Sequence, residues 1–556
     1  MRPSHLLTIA ALALVAARSA AAVGAFVDSP YLEAIPESGP CDAIVDESVD
    51  PATLNTLLND PGKRVFCVAP GDYRAAGRLR LLASGTQQER RFLRFDPHDG
   101  KRNAVQRSER ALFENMEIWG SWWVIQGLTI QPRNGITTWF VLIVAGDHNI
   151  LDGNLIDGIE HVPTKWQGGV GLTGYSGDPA TFNTVQANVV RNGNQSRQPG
   201  DYLGIGVLSG NAPAEDNDFN KILDNEIYDW GDGIQVMGAG DCSDPGVQHG
   251  TVIDGNDIYL TGAKRIDCDT GAPNPDGACA CAENAIDVKS KAGPDPQLWT
   301  QITGNRTWGF RPTSATANCG GSGANGQAIT AGNLCSEHVV VARNMILDST
   351  QGIAVAGSSW IIAGNLIHDI RAGGGPPNYG GGTLAISPTS YATNVMIEFN
   401  TVVDVDKAYD DMSANTDTRC NTMIDEQANT GTGGVRGANH STAFNFLYTA
   451  STANFLGTTN ESFATDTESG NTTLCFWRKR WTAPERVCIP FANSTASSPH
   501  EEAVANCDPD LLAPFGMEPI SYPSTLIPEP AAAWMEGASA VALAALAQRR
   551  RRERQR

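Results

Sequence analysis

Short hydrophobic stretches recur along the middle of this chain, and each is followed by an asparagine and a second hydrophobic stretch. The asparagines at the centres of these copies are Asn154, Asn188, Asn225, Asn256, Asn344, Asn365 and Asn400. Runs of two to four apolar residues bounded by Asn, Asp and Gly predict short β-strands joined by turns. A 3.6-residue apolar period, typical of amphipathic helices, is rare in this part of the chain.

Each copy leads into a further short strand with small, polar and apolar residues. These strands cover residues 169–174, 204–208, 233–237, 285–289, 327–331, 352–356 and 383–387. The shortest repeat, from Asn344 to Asn365, is one bare coil, and longer repeats add a loop. Stacked coils of this kind predict an all-β fold, a right-handed parallel β-helix of about ten coils between residues 60 and 450. Ladders of identical Asn side chains then explain the recurring asparagines better than catalysis does.

One coil differs from the others on its outward face. Alternation along a strand turns Ile286 and Val288 inward and Asp287 and Lys289 outward, where the other coils carry mainly small or neutral residues. Long insertions precede and follow this coil, as they do beside binding clefts. The alternative is an ordinary solvated ion pair worth under ~1 kcal/mol. The segment 231–233 (Gly-Asp-Gly) is interpreted as a turn.

These charges suit the chemistry of uronic acid polymers. Elimination needs a base for the C5 proton, and a lysine serves when its surroundings lower its pKa. We therefore expect Lys289 to be the base, with Glu283 and Asp287 holding Ca²⁺ or orienting the lysine. Arg306 or Arg311, in the following coil, would bind the substrate carboxylate in a bidentate manner.

Further side chains are candidates for holding the sugar chain. They are Lys291, Gln235, Trp230 and Tyr202. The two aromatic rings could stack on sugars, although packing inside a coil or loop is an equally good explanation for either ring.

The two ends of the chain have the features of targeting signals. Residues 1–22 have a basic start, an apolar run and small residues, as in a secretory signal peptide cleaved near Ala22. An uncleaved anchor is the alternative, but the apolar run is shorter than the ~20 residues of a membrane span. Residues 23–59 are expected to form an N-terminal leader, and residues 451–526 an irregular, Cys-containing cap at the solenoid end.

Residues 527–556 contain Ile-Pro-Glu-Pro, an apolar segment and an arginine cluster. This order resembles the PEP-CTERM sorting signal of Gram-negative bacteria. The resemblance implies recognition by an exosortase, a transient inner-membrane contact and delivery to the outer envelope or extracellular matrix.

The repeat, together with the segments 68–73 (Val-Ala-Pro-Gly-Asp-Tyr) and 83–86 (Ala-Ser-Gly-Thr), resembles the pectin-lyase-like superfamily over most of residues 60–450. The two segments look like the start of the chondroitinase B and alginate lyase relatives. The resemblance implies the β-helix and a carbohydrate substrate. The paired aspartates, Gly-His-Gly and Arg-x-Lys of polygalacturonases are absent from the sequence, which disfavours that subgroup.

Composition narrows the functional classes further. The formal net charge of −21 argues against nucleic-acid binding, which needs a basic surface. The 12 cysteines suit disulfides in an exported protein, with Cys41/Cys67, Cys319/Cys335 and Cys475/Cys488 as plausible pairs. Two functions remain: a polysaccharide lyase or a related hydrolase or epimerase, and a non-catalytic matrix or adhesion protein that binds exopolysaccharide.

Overall fold

The computed structural model describes Phe26 and most of the chain between residues 28 and 520. The described ranges are 28–96, 104–107, 109–133, 139–158, 167–174, 179–193, 202–209, 217–238, 248–261, 283–311, 326–331, 336–371, 384–403, 405–406, 414–425, 441–443, 446–449, 461–463, 472–491, 507 and 510–520. Within them the chain is a right-handed parallel β-helix, which confirms the fold predicted from the repeat.

Three parallel sheets form the faces of the solenoid. In the described residues, sheet A has 14 strands, sheet B has 14 and sheet C has 10. Sheet A consists of β1 (Ala43–Val45), β2 (Val65–Val68), β5 (Arg91–Phe95), β8 (Trp123–Gln126), β11 (Ile150–Asp152), β14 (Thr184–Gln186), β17 (Lys221–Leu223), β20 (Val252–Asp254), β23 (Thr300–Thr303), β26 (Glu337–Ala342), β29 (Ser358–Ala363), β32 (Thr393–Glu398), β34 (Ala414–Arg419) and β36 (Ser441–Ala443).

Sheet B lies one tight corner further along each coil. It consists of β3 (Gly71–Asp72), β6 (Ala111–Phe113), β9 (Thr129–Ile130), β12 (Leu155–Asp157), β15 (Val189–Arg191), β18 (Glu226–Tyr228), β21 (Asp257–Tyr259), β24 (Arg306–Trp308), β27 (Met345–Ser349), β30 (Leu366–Ile370), β33 (Thr401–Val403), β35 (Thr422–Asp425), β37 (Phe446–Thr449) and β38 (Glu461–Phe463).

Sheet C follows sheet B, and the chain then returns to sheet A. It consists of β4 (Arg78–Leu81), β7 (Asn115–Ile118), β10 (Phe140–Val144), β13 (Gln167–Thr173), β16 (Tyr202–Leu208), β19 (Asp232–Met237), β22 (Asn284–Lys289), β25 (Gln327–Thr330), β28 (Gln351–Val355) and β31 (Ile386–Pro388). In the described residues this sheet has ten strands, the predicted number of coils, whereas sheets A and B extend over more coils, with 14 strands each.

An asparagine ladder fixes the corner between sheets A and B. Nδ2 of each Asn donates to Oδ1 of the next at 2.9–3.0 Å, through Asn154, Asn188, Asn225, Asn256, Asn305, Asn344, Asn365, Asn400 and Asn421. The residue before each Asn has a positive φ, from +52° at Asp224 to +70° at Gly255. This left-handed residue turns the chain, and the Asn pairs the corner groups that neither sheet can reach.

The interior is filled by apolar side chains from all three sheets, in one cluster that runs from Val45 to Val405. At the N-terminal end, helix α1 (Pro51–Leu58) is capped by Asp50 and buries Leu54 and Leu58 against this core. The described residues also include 3₁₀ turns at Arg74–Ala76, Ala104–Gln106, Pro296–Leu298 and Ala513–Phe515. None of the helices that can be described is long and apolar enough to cross a membrane.

Segments from both ends of the chain lie along the outside of the solenoid. The leader places Ile35 on the outer face of sheet A, and its residue Ser29 reaches Asp224. The antiparallel hairpin β39 (Thr472–Arg478) and β40 (Glu485–Phe491) covers sheet B, and residues 510–520 cover sheet A. Of the described parts of 451–526, β38 is the last strand of sheet B, whereas the hairpin and residues 510–520 lie along the side of the solenoid.

Two disulfides hold these outer segments. The predicted Cys41–Cys67 bond ties the leader to β2, and Cys420–Cys507, which the sequence did not single out, ties the C-terminal segment to sheet A. The backbone register places Cys475 opposite Cys488. Cys319 and Cys335 lie outside the described residues.

Candidate functional site

A polar cluster lies on the outward face of sheet C, at strands β19 and β22. The parallel register pairs Gln235 with Asp287 and Met237 with Lys289. Ile286 and Val288 point into the core, as alternation predicts. Ala285 also joins the core, so two consecutive residues face inward, and Asn284 comes to the outward face beside Asp232.

Hydrogen bonds connect the cluster across the two strands. Nζ of Lys289 is 2.6 Å from Oδ2 of Asp287. Nε2 of Gln235 lies 3.3 Å from a carboxylate oxygen of Asp287 and 3.3 Å from one of Asp232. Nδ2 of Asn284 donates to the other oxygen of Asp232 at 2.9 Å. The amide of Gln235 therefore bridges Asp232 and Asp287, and Lys289 lies at the end of this polar row.

Burial separates the roles of these groups. Asp232, Gln235 and Asp287 are at most 1% exposed, whereas the side chain of Lys289 is 20% exposed. A carboxylate out of water stays ionised only when cations or hydrogen bonds compensate it. The lysine is therefore the group of this row that a solute can reach, and the buried Asp287 holds it.

Oxygen atoms in the cluster fit a hard cation such as Ca²⁺. Oε1 of Gln235 and Oδ1 of Asn284 are buried and accept no hydrogen bond from the described residues. In this structure the amide nitrogens face the carboxylates of Asp232 and Asp287, so these four groups would offer the oxygen-only donor set that Ca²⁺ prefers once both amides are turned over. Glu283, the other predicted ligand, is buried just before β22. The described residues contain no group of three or more His, Cys, Asp or Glu side chains placed for a metal, so amide oxygens would complete the set.

Two members of the cluster, Asp232 and Asn284, were not predicted. The Gly-Asp-Gly sequence predicts a turn, but in the structure Asp232 begins β19. The sequence did contain a signal for these two residues. Asp232 lies three positions before Gln235, and Asn284 lies three positions before Asp287, so the two residues occupy the same position of the repeat. The inward step at Ala285 breaks strict alternation, and this hid the signal.

Lys291 lies beyond the end of β22, at the corner between sheets C and A. Its Nζ is 3.5 Å from Oε1 of Glu337, and both side chains are 33% exposed. The structure thus brings Lys291 to the same end of the strand as Lys289, where it stays accessible.

Arg306 lies on sheet B, not on the face of Lys289. It begins β24, and its Nε is 2.6 Å from Oδ1 of the buried Asp257. Its Nη1 donates to the carbonyl of Trp477 in the hairpin at 2.6 Å. The expectation that Arg306 joins Lys289 was wrong, because the repeat has three faces and the arginine is one corner away.

Arg311 is placed at the corner between sheets B and C. Its Nη2 lies 3.0 Å from a carboxylate oxygen of Asp369 and 3.4 Å from one of Asp348, and it also donates to the carbonyl of Asp369. Two carboxylates therefore already surround the guanidinium. Both carboxylates belong to strands β27 and β30 of sheet B, not to the cluster around Lys289.

The two aromatic candidates for sugar stacking are buried in the core. Trp230 and Tyr202 are each 1% exposed. Trp230 fills the space left by small residues, since a Cβ atom at Gly204 would lie 3.2 Å from its ring and one at Gly193 2.5 Å. The alternative explanation, packing inside the coils, is correct, and neither ring can stack on a substrate.

A column of stacked rings on the surface is likewise closed to sugars. Trp122, His148 and Phe182 stack with centroids 4.0 and 4.9 Å apart, and Phe219 follows at 4.9 Å. The guanidinium of Arg90 covers the Trp122 face, and Gly250 lies against Phe219 at the other end. Sugars stack on free ring faces, and here neighbours cover them.

Three carboxylates beneath the C-terminal hairpin hold it on sheets A and B. Asp224 Oδ2 is 2.7 Å from Nη1 of Arg480, Glu226 Oε2 accepts from the backbone N–H of Trp481 at 2.6 Å, and Asp257 Oδ2 accepts from that of Arg480 at 3.0 Å. Burial raises the pKa of Asp224 to about 6, and it also raises the pKa values of Glu226 and Asp257. These carboxylates are anchors of the hairpin.

No protein-family model matches the sequence, and no curated protein matches it either. Solved structures do. The alginate lyase AlyGC of polysaccharide lyase family 6 shares 14% identity and a TM-score of 0.46, over 82% of this chain and 57% of that one. This chain therefore spans little more than half the length of that lyase.

Two further lyases are similar at the same level. A mannuronic acid specific polysaccharide family 6 lyase from human gut microbiota has 14% identity and a TM-score of 0.44, covering 74% of this chain and 90% of its own. Pectate lyase Pel9A has 13% identity and a TM-score of 0.37, covering 65% and 80%. The likeness to these polysaccharide lyases is one of fold.

Proposed function

We propose that this chain is an exported β-helix enzyme that cleaves an acidic polysaccharide by β-elimination. One observation carries the proposal: a partly exposed lysine, Lys289, stands 2.6 Å from the buried Asp287 in a polar row on the outward face of sheet C. Beside it are two buried amide oxygens without hydrogen-bond donors in the described residues.

The chain's own groups would divide the reaction as follows. Nζ of Lys289 takes the proton from C5 of a uronic acid residue, and the electron pair forms the C4=C5 double bond. The bond from C4 to the glycosidic oxygen breaks, and that oxygen takes a proton from solvent. Lys291, at the same end of β22, binds a carboxylate of a neighbouring sugar as a point charge.

Ca²⁺, held by Asp232, Asp287 and the amide oxygens of Gln235 and Asn284, would supply positive charge that neutralises the reacting carboxylate and disfavours protonated Lys289. In the structure Gln235 bridges the two carboxylates through Nε2, and it would turn over to present Oε1 to the ion. Asp287 orients the lysine.

A second function has one observation in its favour. Lys289 is ion-paired with Asp287, and such a pair favours the protonated ammonium, which binds anions and does not accept a proton. A protein that binds acidic exopolysaccharide without cleaving it would use the same row.

The test is an ultraviolet absorbance assay for unsaturated uronic ends, run on alginate, pectate and glycosaminoglycans with and without Ca²⁺. The expected result is a rise on at least one polymer, lost in Lys289→Ala and kept in Lys221→Ala, a lysine paired with Glu33 on sheet A. Absence of any rise would contradict the lyase, and saturable binding without turnover would support the second function.

We also propose export through the signal peptide and sorting by an exosortase through the tail, both of which lie outside the described residues. Support comes from the two disulfides found in the described residues, since disulfides are typical of proteins outside the cytosol. Mass spectrometry of the protein isolated from its producing cells should find an N-terminus near Val23 and no tail arginines. A chain with both ends intact would contradict this route.

A further inference from the structure

A cleft of about 810 Å³ opens at the corner between sheets A and B, away from the face of Lys289. Its walls come from three parts of the sequence: the leader at Tyr31, the hairpin at Trp477 and the C-terminal segment at Glu518, all set around the corner residues Asp254 and Arg343. Its volume is in the range of sites that enclose a small organic ligand.

Aromatic rings in this cleft have free surface. Trp477 is 38% exposed, and no ring of the described residues stacks on it. Tyr31 is half-buried, and its hydroxyl donates to Oε1 of Gln301 at 3.3 Å. Trp477 differs from the rings of the surface column, because it lines a concave site and no described ring stacks on it.

Arg343 supplies the positive charge of the cleft. The other two guanidinium groups there are neutralised, Arg306 by Asp257 and Arg480 by Asp224. Arg343 is exposed, donates to the carbonyls of Glu518 and Pro519, and forms no salt bridge within 4.0 Å in the described residues, although Asp254 in the same cleft interacts with it electrostatically. Its remaining N–H groups suit a carboxylate, which a guanidinium binds in a bidentate manner.

The backbone at Arg343 is also unusual for so large a side chain. Its φ is +58°, at the corner position where the adjacent coils carry Gly304 and Gly364. Left-handed backbone costs an L-residue about 1–2 kcal/mol. The chain thus places a long cation between two glycines, and Cγ of Arg343 packs over one of them, 3.8 Å from where a Cβ of Gly364 would lie.

We propose that this cleft is a second saccharide site, which binds a short acidic oligosaccharide with a sugar carboxylate on Arg343 and a sugar ring on Trp477. Asp28, with its side chain 64% exposed and 3.2 Å from Arg480, accepts sugar hydroxyls at the leader side. The site is independent of chemistry at Lys289, and a polymer bound there is held near the β-helix at a raised local concentration.

Isothermal titration calorimetry on the purified full chain tests this, with trigalacturonate and trimannuronate as acidic probes and maltotriose as the neutral probe. The expected result is saturable binding of an acidic trisaccharide, at least tenfold tighter than maltotriose. Arg343→Gln and Trp477→Ala should each weaken it at least tenfold, while Trp477→Phe, which keeps a ring, should retain part of the affinity.

Two matched variants separate this site from others. Arg94→Gln removes another arginine that donates to a carbonyl, that of Gly39, and should bind as the unmodified chain does. Lys289→Ala should also retain cleft binding, so that failure of the lyase proposal and failure of this one give different results. Circular dichroism of each variant establishes that it is folded.

The proposal is overturned by three outcomes: no saturable binding of either acidic probe, equal binding of maltotriose, or binding that folded Arg343→Gln and Trp477→Ala leave unchanged.

Discussion

Nδ2 of Asn344 lies 3.0 Å from Oδ1 of Asn365, and the two residues are 21 positions apart in the sequence. The same contact recurs at spacings of up to 49 residues, as between Asn256 and Asn305. The insertions between coils therefore change the length of the chain without changing the corner. This independence lets two adjacent coils carry the polar row at β19 and β22 while the other coils keep the same scaffold.

Replacing one rung of this ladder should be costly. Asn256→Ala removes Oδ1, which accepts hydrogen bonds from the backbone N–H and from Nδ2 of Asn225. It also removes Nδ2, which donates to Oδ1 of Asn305 and to the carbonyl of Ile222. Because an unpaired buried polar group costs ~1–3 kcal/mol, we expect the free energy of unfolding to fall by about 3 kcal/mol or more in urea titrations.

The matched control for this rung is Asn394→Gly. Asn394 is exposed and has a φ of +55°, which glycine adopts without strain. The free energy of unfolding of the Asn394→Gly variant should stay within about 0.5 kcal/mol of that of the unmodified chain. Equal stability of the Asn256 and Asn394 variants would mean that the ladder contributes little.

The cation proposed at the polar row can be tested apart from activity. Asp287→Asn keeps the shape of the side chain but removes the charge that faces Lys289. Calcium titration calorimetry should show affinity at least tenfold weaker, because ligand charge sets Ca²⁺ affinity. Asp348→Asn, which alters a partner of Arg311, should leave it unchanged, and equal losses in both variants would speak against a site at Asp287.

Arg306 offers a contrast between a structural and a catalytic role. Its partner Asp257 is fully buried, so Arg306→Gln leaves a buried charge, which costs about 3–5 kcal/mol when a buried pair is broken. We expect a lower unfolding free energy, with turnover per folded molecule at the Lys289 site retained. Loss of turnover with unchanged stability would instead indicate that Arg306 takes part in the reaction.

The sequence was sufficient for the scaffold and insufficient for the site, for physical reasons. The period of the asparagines is a local signal, and each copy repeats it, so the coils and their inward residues Ile286 and Val288 could be predicted. Which of three faces a charged residue occupies depends on the corners. Arg306 was assigned to the face of Lys289 on sequence proximity alone, and its true neighbours, Asp257 and Trp477, are 49 and 171 positions away.

The burial of Trp230 in the core could not be predicted from the sequence either. The sequence shows a tryptophan whether its ring is exposed for stacking or buried in the core. Only the space left by neighbouring glycines distinguishes the two cases. Gly204 is part of that cavity, because a Cβ there would lie 2.5 Å from the carbonyl oxygen of Gly233 and 2.6 Å from Cγ2 of Ile227.

Gly204→Ala should therefore destabilise the fold even though alanine suits strands as well as glycine does. Overpacking of a filled core costs about 1–3 kcal/mol, and thermal and urea unfolding should both report a loss of this size. Gly62→Ala is the control, since its Cβ would lie 3.2 Å from Oδ1 of Asp60 at an exposed turn. Equal stability of Gly204→Ala and the unmodified chain would show that the core can shift.

The attachment of the hairpin should depend on pH through Asp224, whose side chain is almost fully buried against Arg480 and Ser29. Its pKa is raised from 3.8 to about 6, chiefly by burial. A raised carboxyl pKa means that the folded protein binds the proton more tightly than the unfolded chain does. The resulting stabilisation is complete below about pH 3.8 and is lost as the pH rises through about 6.

Asp224→Asn, which stays neutral at every pH, isolates this contribution. Two pKa units correspond to about 3 kcal/mol, so the unfolding free energy of the unmodified chain should fall by up to that amount, relative to the variant, between pH 4 and pH 7. Urea titrations at several pH values measure the difference. Because Glu226 and Asp257 shift in the same direction, both proteins should lose stability over this range, and parallel curves would mean that Asp224 titrates normally in the folded chain.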